Sequence, residues 1–145
     1  MIQHLDDRKA EQILVAIARS LRSSGVKPPT WSSDLEHAVA SEFDVEPGAP
    51  PVSDGELARQ ALVLLAEDPE MHASIETMAA NWDDSVQRFD FGAALSLTTA
   101  ALIALQTHVK FERTSNGKWT LRIEKKPTRD GLLKALAEKI IRFGK

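Results

Sequence analysis

Apolar residues recur along this chain at two different periods, and the change from one to the other predicts the architecture. From Leu5 to Leu21, Ala10, Ile13, Leu14, Ile17 and Leu21 return at the spacing of one helix face. Asp6 and Asp7 fall at its start, where the positive end of a helix favours carboxylates, and Ser23-Ser24-Gly25 closes it. Pro28 and Pro29 bar further helix, and Thr30 or Ser32 is placed to cap a short second one with Leu35, Val39 and Phe43 inward. The stretch DVEPGAPPVSD that follows reads as a proline-rich loop and as the best candidate for a hinge. Ser53 and Glu56 then have the spacing of a capping box, opening a third helix with Leu57, Ala61, Leu64 and Leu65 inward. Asp68-Pro69-Glu70 opens a fourth, in which Met71, Ile75, Met78 and Trp82 form a core-packing stripe.

The segment FGAALSLTTAALIALQ, residues 91–106, carries no charge and predicts a central buried helix. It is shorter than the roughly 20 residues needed to cross a bilayer. Gly92, Ser96, Ala100 and Ala104 follow one another at every fourth position, a stripe that lets another helix approach closely.

After Gln106 the period drops to two. A two-residue Asn-Gly turn in HVKFERTSNGKWTLRIE would put the apolar residues of the two strands on opposite faces of the ribbon. A three-residue loop, Ser115-Asn116-Gly117 with Gly117 left-handed, instead sets Val109 opposite Ile123, Phe111 opposite Leu121 and Arg113 opposite Trp119. That register predicts one face buried on helices, and a second face of His108, Lys110, Glu112, Thr120, Arg122 and Glu124 turned to water or a partner. Thr128 is placed to cap a last helix with Leu132, Leu133, Leu136, Ile140 and Phe143 inward. Residues 1–145 therefore read as a single domain of mainly α class, about six helices with one C-terminal antiparallel hairpin packed on them.

Charge divides this domain. Residues 1–106 hold 7 Lys/Arg against 17 Asp/Glu, and residues 107–145 hold 11 against 4, so an acidic helical part precedes a basic hairpin and helix. Cysteine is absent, which excludes disulfides, thiolate metal sites and thiol nucleophiles. With the charged start MIQHLDDRKAEQ, this predicts a cytoplasmic protein. No nucleophile elbow, phosphate-cradling glycine loop or zinc-protease helix occurs. His72 and Glu76 share a helix face but have no third ligand near them in sequence, and Asp6-Asp7 and Asp83-Asp84 read as helix-start and loop acids. The expectation is a protein without catalytic residues, metal or cofactor.

LIALQTHVKFERTSNGKWTLRIEKKPT, an apolar small-residue helix running straight into a basic hairpin, resembles the tails of small bacterial proteins that accompany effector modules in conflict or defence systems. The resemblance covers the last third of the chain and implies an accessory component and no enzyme. The residues themselves point to a non-catalytic protein–protein interaction, adaptor or assembly module, including a homo-oligomer. Candidate partner-binding residues are Lys110, Arg113, Trp119, Arg122, Lys125, Lys126 and Arg129. Lys110, Arg122, Lys125, Lys126 and Arg129 carry the alternative of a nucleic-acid binder using the basic hairpin and helix, with Trp119 available for stacking. A second alternative is attachment to a membrane surface through the basic amphipathic last helix.

Overall fold

The computed structural model describes residues 5–46, 50–81, 96–127 and 131–143. Along the chain run α1 (Asp7–Ser23), α2 (Ser33–Phe43), α3 (Asp54–Leu65), α4 (Pro69–Asn81), α5 (Leu97–Gln106), β1 (Val109–Arg113), β2 (Trp119–Ile123) and α6 (Leu132–Phe143). The two strands pair antiparallel, so the class is mainly α with one hairpin packed on helices.

Short polar side chains fix where the helices begin, because the first amides of a helix have no partner inside it. Asp6 accepts from the Lys9 amide, Ser32 from Leu35, Ser53 from Glu56 and Ser96 from Thr99. Asp68 likewise accepts from the Glu70 amide, as its place before Pro69 predicts. The Ser53 box is half-formed: the Glu56 carboxylate lies 3.8 Å from Lys139 Nζ on α6.

Ser96 corrects the sequence reading, which runs one helix through it from Phe91 to Gln106. Its backbone is extended, and its hydroxyl takes the Thr99 amide at 3.1 Å, so the helix starts at Leu97. A serine hydroxyl competes with the helix for nearby amides, and here the cap wins. Residues 91–95, with Phe91 and Gly92, lie outside the described residues, as do Trp82 and Thr128. Among the described residues no helix is long and apolar enough to cross a membrane.

Two helices carry the core. In α5 every residue from Ala100 to Leu105 is buried, against α1, α3, α6 and β1. The small residues Ala100 and Ala104 are thus used within the fold. The second core helix, α3, packs on α1, α4, α5 and α6 and buries Leu57, Leu62 and Leu64 completely. Gly55 sits in its first turn, and a Cβ there would run into the Asp7 carboxyl group, so bare backbone lets the starts of α1 and α3 approach. Arg142 on α6 donates to the Pro50 carbonyl at 3.0 Å, pinning the proline-rich loop at that point.

The hairpin has the register that its apolar pattern predicts, with Val109 opposite Ile123, Phe111 opposite Leu121 and Arg113 opposite Trp119. Thr114 donates its amide to the Lys118 carbonyl at 2.8 Å, and Gly117 takes φ +81°. No atom lies within 4 Å of a Cβ built on Gly117, so a substitution there meets only backbone strain. We expect Gly117→Ala to cost about 1 kcal/mol of folding stability. Chemical denaturation should show that loss, with Gly117→Asn losing less.

Helix α2 packs along β2 and on α6. Its early residues Asp34, His37 and Ala38 stand near Trp119, and Phe43 at its end stands near Ile123, so helix and strand run the same way.

Candidate interaction surface on the hairpin

Burial along the hairpin differs from the two-faced ribbon expected from alternation. Val109 is buried against α5 and Phe111 and Leu121 are half-buried, but Ile123 is 41% exposed, the one large apolar residue so exposed among those described. Its partner Val109 lies just beyond α5, whereas Ile123 ends β2 where α2 and α6 cover it only in part. His108, expected on the outer face, is instead buried at 2% exposure. It lies in the turn leaving α5, before the strand begins, so strand alternation does not reach it.

His108 ties the end of the hairpin to its start. Its carbonyl accepts from the amides of Glu124 and Lys125, and its Nδ1 is 2.8 Å from Thr107 Oγ1. Its Nε2 is buried without a hydrogen-bond partner among the described residues. Burial lowers its pKa below 6.5 and the Lys125 charge lowers it further, partly opposed by Glu67 and Asp68.

The structure separates the candidate binding residues into three places. Lys110 and Arg122 face each other on the outer face. Arg122 Nη2 is 3.4 Å from a Glu124 carboxylate oxygen and 4.0 Å from one of Glu112, so the local charge is nearly balanced. Arg113 and Trp119 share the opposite face at the hairpin tip. The guanidinium carbon stands 5.1 Å from the indole ring centre, and Arg113 Nε donates to the Gly117 carbonyl. An open groove of about 410 Å³ runs there between the tip and Asp34, His37 and Ala38 of α2. Lys125 and Lys126 are exposed just beyond β2. Arg129 lies outside the described residues.

Beside Lys126 is a smaller groove of about 190 Å³, lined by Phe43, Ile123, Lys126, Pro127, Gly131, Leu133 and Lys134. Apart from Lys126, none of these residues stood among the candidates. The pattern of α6 does mark Lys134 as polar beside the inward Leu133, but only the fold brings Phe43 and Ile123 to them.

The ladder also turns backbone groups outward. The bonds from Glu124 to His108 and from Thr114 to Lys118 mark the bonded pairs, which alternate along an antiparallel ribbon. Val109, Phe111 and Arg113 on one strand, and Trp119, Leu121 and Ile123 on the other, therefore aim their amides and carbonyls away from the partner strand.

Two other clusters of ionisable side chains lie away from the hairpin. His72 Nε2 and Glu76 Oε1 are 2.9 Å apart on the exposed face of α4, and among the described residues no three His, Cys, Asp or Glu side chains group to hold a metal ion. At the contact of α1 with α3, Arg59 Nη1 is 2.6 Å from Asp7 Oδ1 and also donates to the Leu5 carbonyl, with Glu11 and Asp54 close by. Compared with known proteins, the chain matches no protein-family model, no curated protein and no solved structure.

Proposed function

We propose that the chain is a non-catalytic protein–protein interaction module, an adaptor or assembly component whose docking element is the hairpin. The observation that carries this reading is the outer face, where Lys110, Glu112, Arg122 and Glu124 alternate in sign beside strand edges whose amides and carbonyls point away from the partner strand. Mixed charge of this kind suits the polar rim of a protein interface, and an open strand edge suits addition of a strand from another chain. It suits phosphate less, because Glu112 and Glu124 hold Arg122. The likeness of the tail to effector-associated proteins adds a setting, an accessory component of a bacterial effector or defence system.

Affinity capture under native conditions tests the proposal, with the wild type compared against Lys110→Glu combined with Arg122→Ser. Both positions are exposed, so the variant should keep its helical circular dichroism. The expected result is a protein retained in near-equimolar amount by the wild type and lost from the variant. Identical recovery from both would overturn the assignment of the hairpin face.

A further inference from the structure

We infer that the groove between Phe43, Ile123 and Leu133 is a pocket for one apolar side chain of an acidic linear peptide. This rests on the interaction-module reading and names the chemistry of its partner.

At about 190 Å³ the groove falls below the roughly 300–1,000 Å³ of sites that enclose a small molecule, and its size suits one side chain. Its floor comes from Phe43 on α2 and Leu133 on α6 and its lip from Ile123 on β2, so three separate elements hold it in shape. Gly131, with φ +83°, adds no side chain to the wall and, its chain neighbours aside, has no atom within 4 Å of a Cβ position. Ile123 presents its exposed side chain at the lip and is also one of the residues whose backbone amide and carbonyl point off the strand edge. An extended peptide could bond to that edge while placing one side chain in the groove.

Charge selects the peptide. Among the described residues the lining contains Lys126 and Lys134 and no carboxylate, and both lysines are exposed. Lys125 adds a third positive charge at the same end. A leucine, isoleucine, phenylalanine or methionine flanked by aspartate or glutamate meets both the floor and the rim, whereas a neutral or basic peptide leaves the rim unpaired.

The test is selection of a displayed random twelve-residue peptide library on the full chain. Enriched peptides are then measured on the wild type, on Lys126→Glu with Lys134→Glu, and on Ile123→Ser. We expect enrichment of one apolar residue between carboxylates, with affinity at least tenfold weaker on the charge-reversed variant and on Ile123→Ser. Amide chemical-shift changes should centre on Ile123, Lys126 and Leu133. Enriched peptides without an acidic bias, or affinity indifferent to these variants, would overturn the inference. So would a concentration-dependent dimer abolished by Ile123→Ser, which would make a second copy the occupant, or sedimentation with anionic vesicles abolished by the charge reversal. If the groove variants still retain the protein captured through Lys110 and Arg122, the interaction module stands and the groove assignment falls.

Discussion

Alanine at Gly55 is expected to destabilise the fold by about 1–2 kcal/mol, although helix propensity alone predicts a gain of up to about 1 kcal/mol. The opposing cost comes from α1. A Cβ on Gly55 meets the Asp7 side chain down to its own Cβ, so a simple rotation of the carboxylate does not clear it. Forcing a methyl group into such a contact costs about 1–3 kcal/mol. It also displaces the carboxylate that pairs with Arg59 at 2.6 Å, a partly exposed pair worth up to about 1 kcal/mol. For a domain of this size the net loss lowers Tm by about 3–6 °C. A double-mutant cycle with Asp7→Gly separates the two effects, because removing the whole Asp7 side chain removes the three atoms nearest to a Gly55 Cβ. In that background Gly55→Ala should become neutral or stabilising. Stabilisation in the wild-type background would show that α1 and α3 do not meet this closely.

This contact also shows which features are legible in sequence. The caps at Ser32, Ser53 and Asp68 could be read because each side chain binds an amide two or three residues away. The three-residue hairpin loop could be read because side chains alternate across a strand, so only one loop length puts Val109, Phe111, Leu121 and Ile123 on the same face. Ser96 was ambiguous on the same local evidence, since a hydroxyl fits both a helix interior and a cap, and residues on either side of it are apolar. The approach of Gly55 to Asp7 has no local signature at all. Nor has the groove, whose apolar floor is assembled from residues that each look like ordinary inward positions of their own element. Of the candidate surface, the exposed cations of the hairpin were therefore visible beforehand, while their division into a neutralised face, an indole-bound tip and a basic-rimmed groove was not.

Glu11→Gln is expected to stabilise the protein by about 1–2 kcal/mol at pH 8 and to change little at pH 4. Burial first, then hydrogen bonding with Asp54 and the charges of Asp54 and Asp7, push the Glu11 carboxyl up to about 7 from an ordinary value of 4.5. Below 4.5 the folded and unfolded chains both hold the proton. Between 4.5 and 7 only the folded chain holds it, so stability falls as pH rises, and above 7 the full penalty of the buried charge remains. A fully buried group shifted this far would carry about 3 kcal/mol. Glu11 is only partly buried, and solvent screening brings the effect to the smaller figure. His108 works in the other direction. Its lowered pKa means that its contribution is complete above 6.5 and is lost as pH falls towards the folded value, because the unfolded imidazole takes up a proton first. Below pH 6.5, as long as both groups titrate, the two effects therefore offset each other, and removing Glu11 should uncover the acid sensitivity of His108 as a steeper loss. Urea midpoints of wild type and Glu11→Gln at pH 4, 6 and 8 measure both effects, and Asp54→Asn should move the wild-type profile the same way by a smaller amount. A difference between wild type and Glu11→Gln that stays constant from pH 4 to 8 would mean that Glu11 ionises as an ordinary surface carboxylate and that the contact of α1 with α3 holds no shared proton.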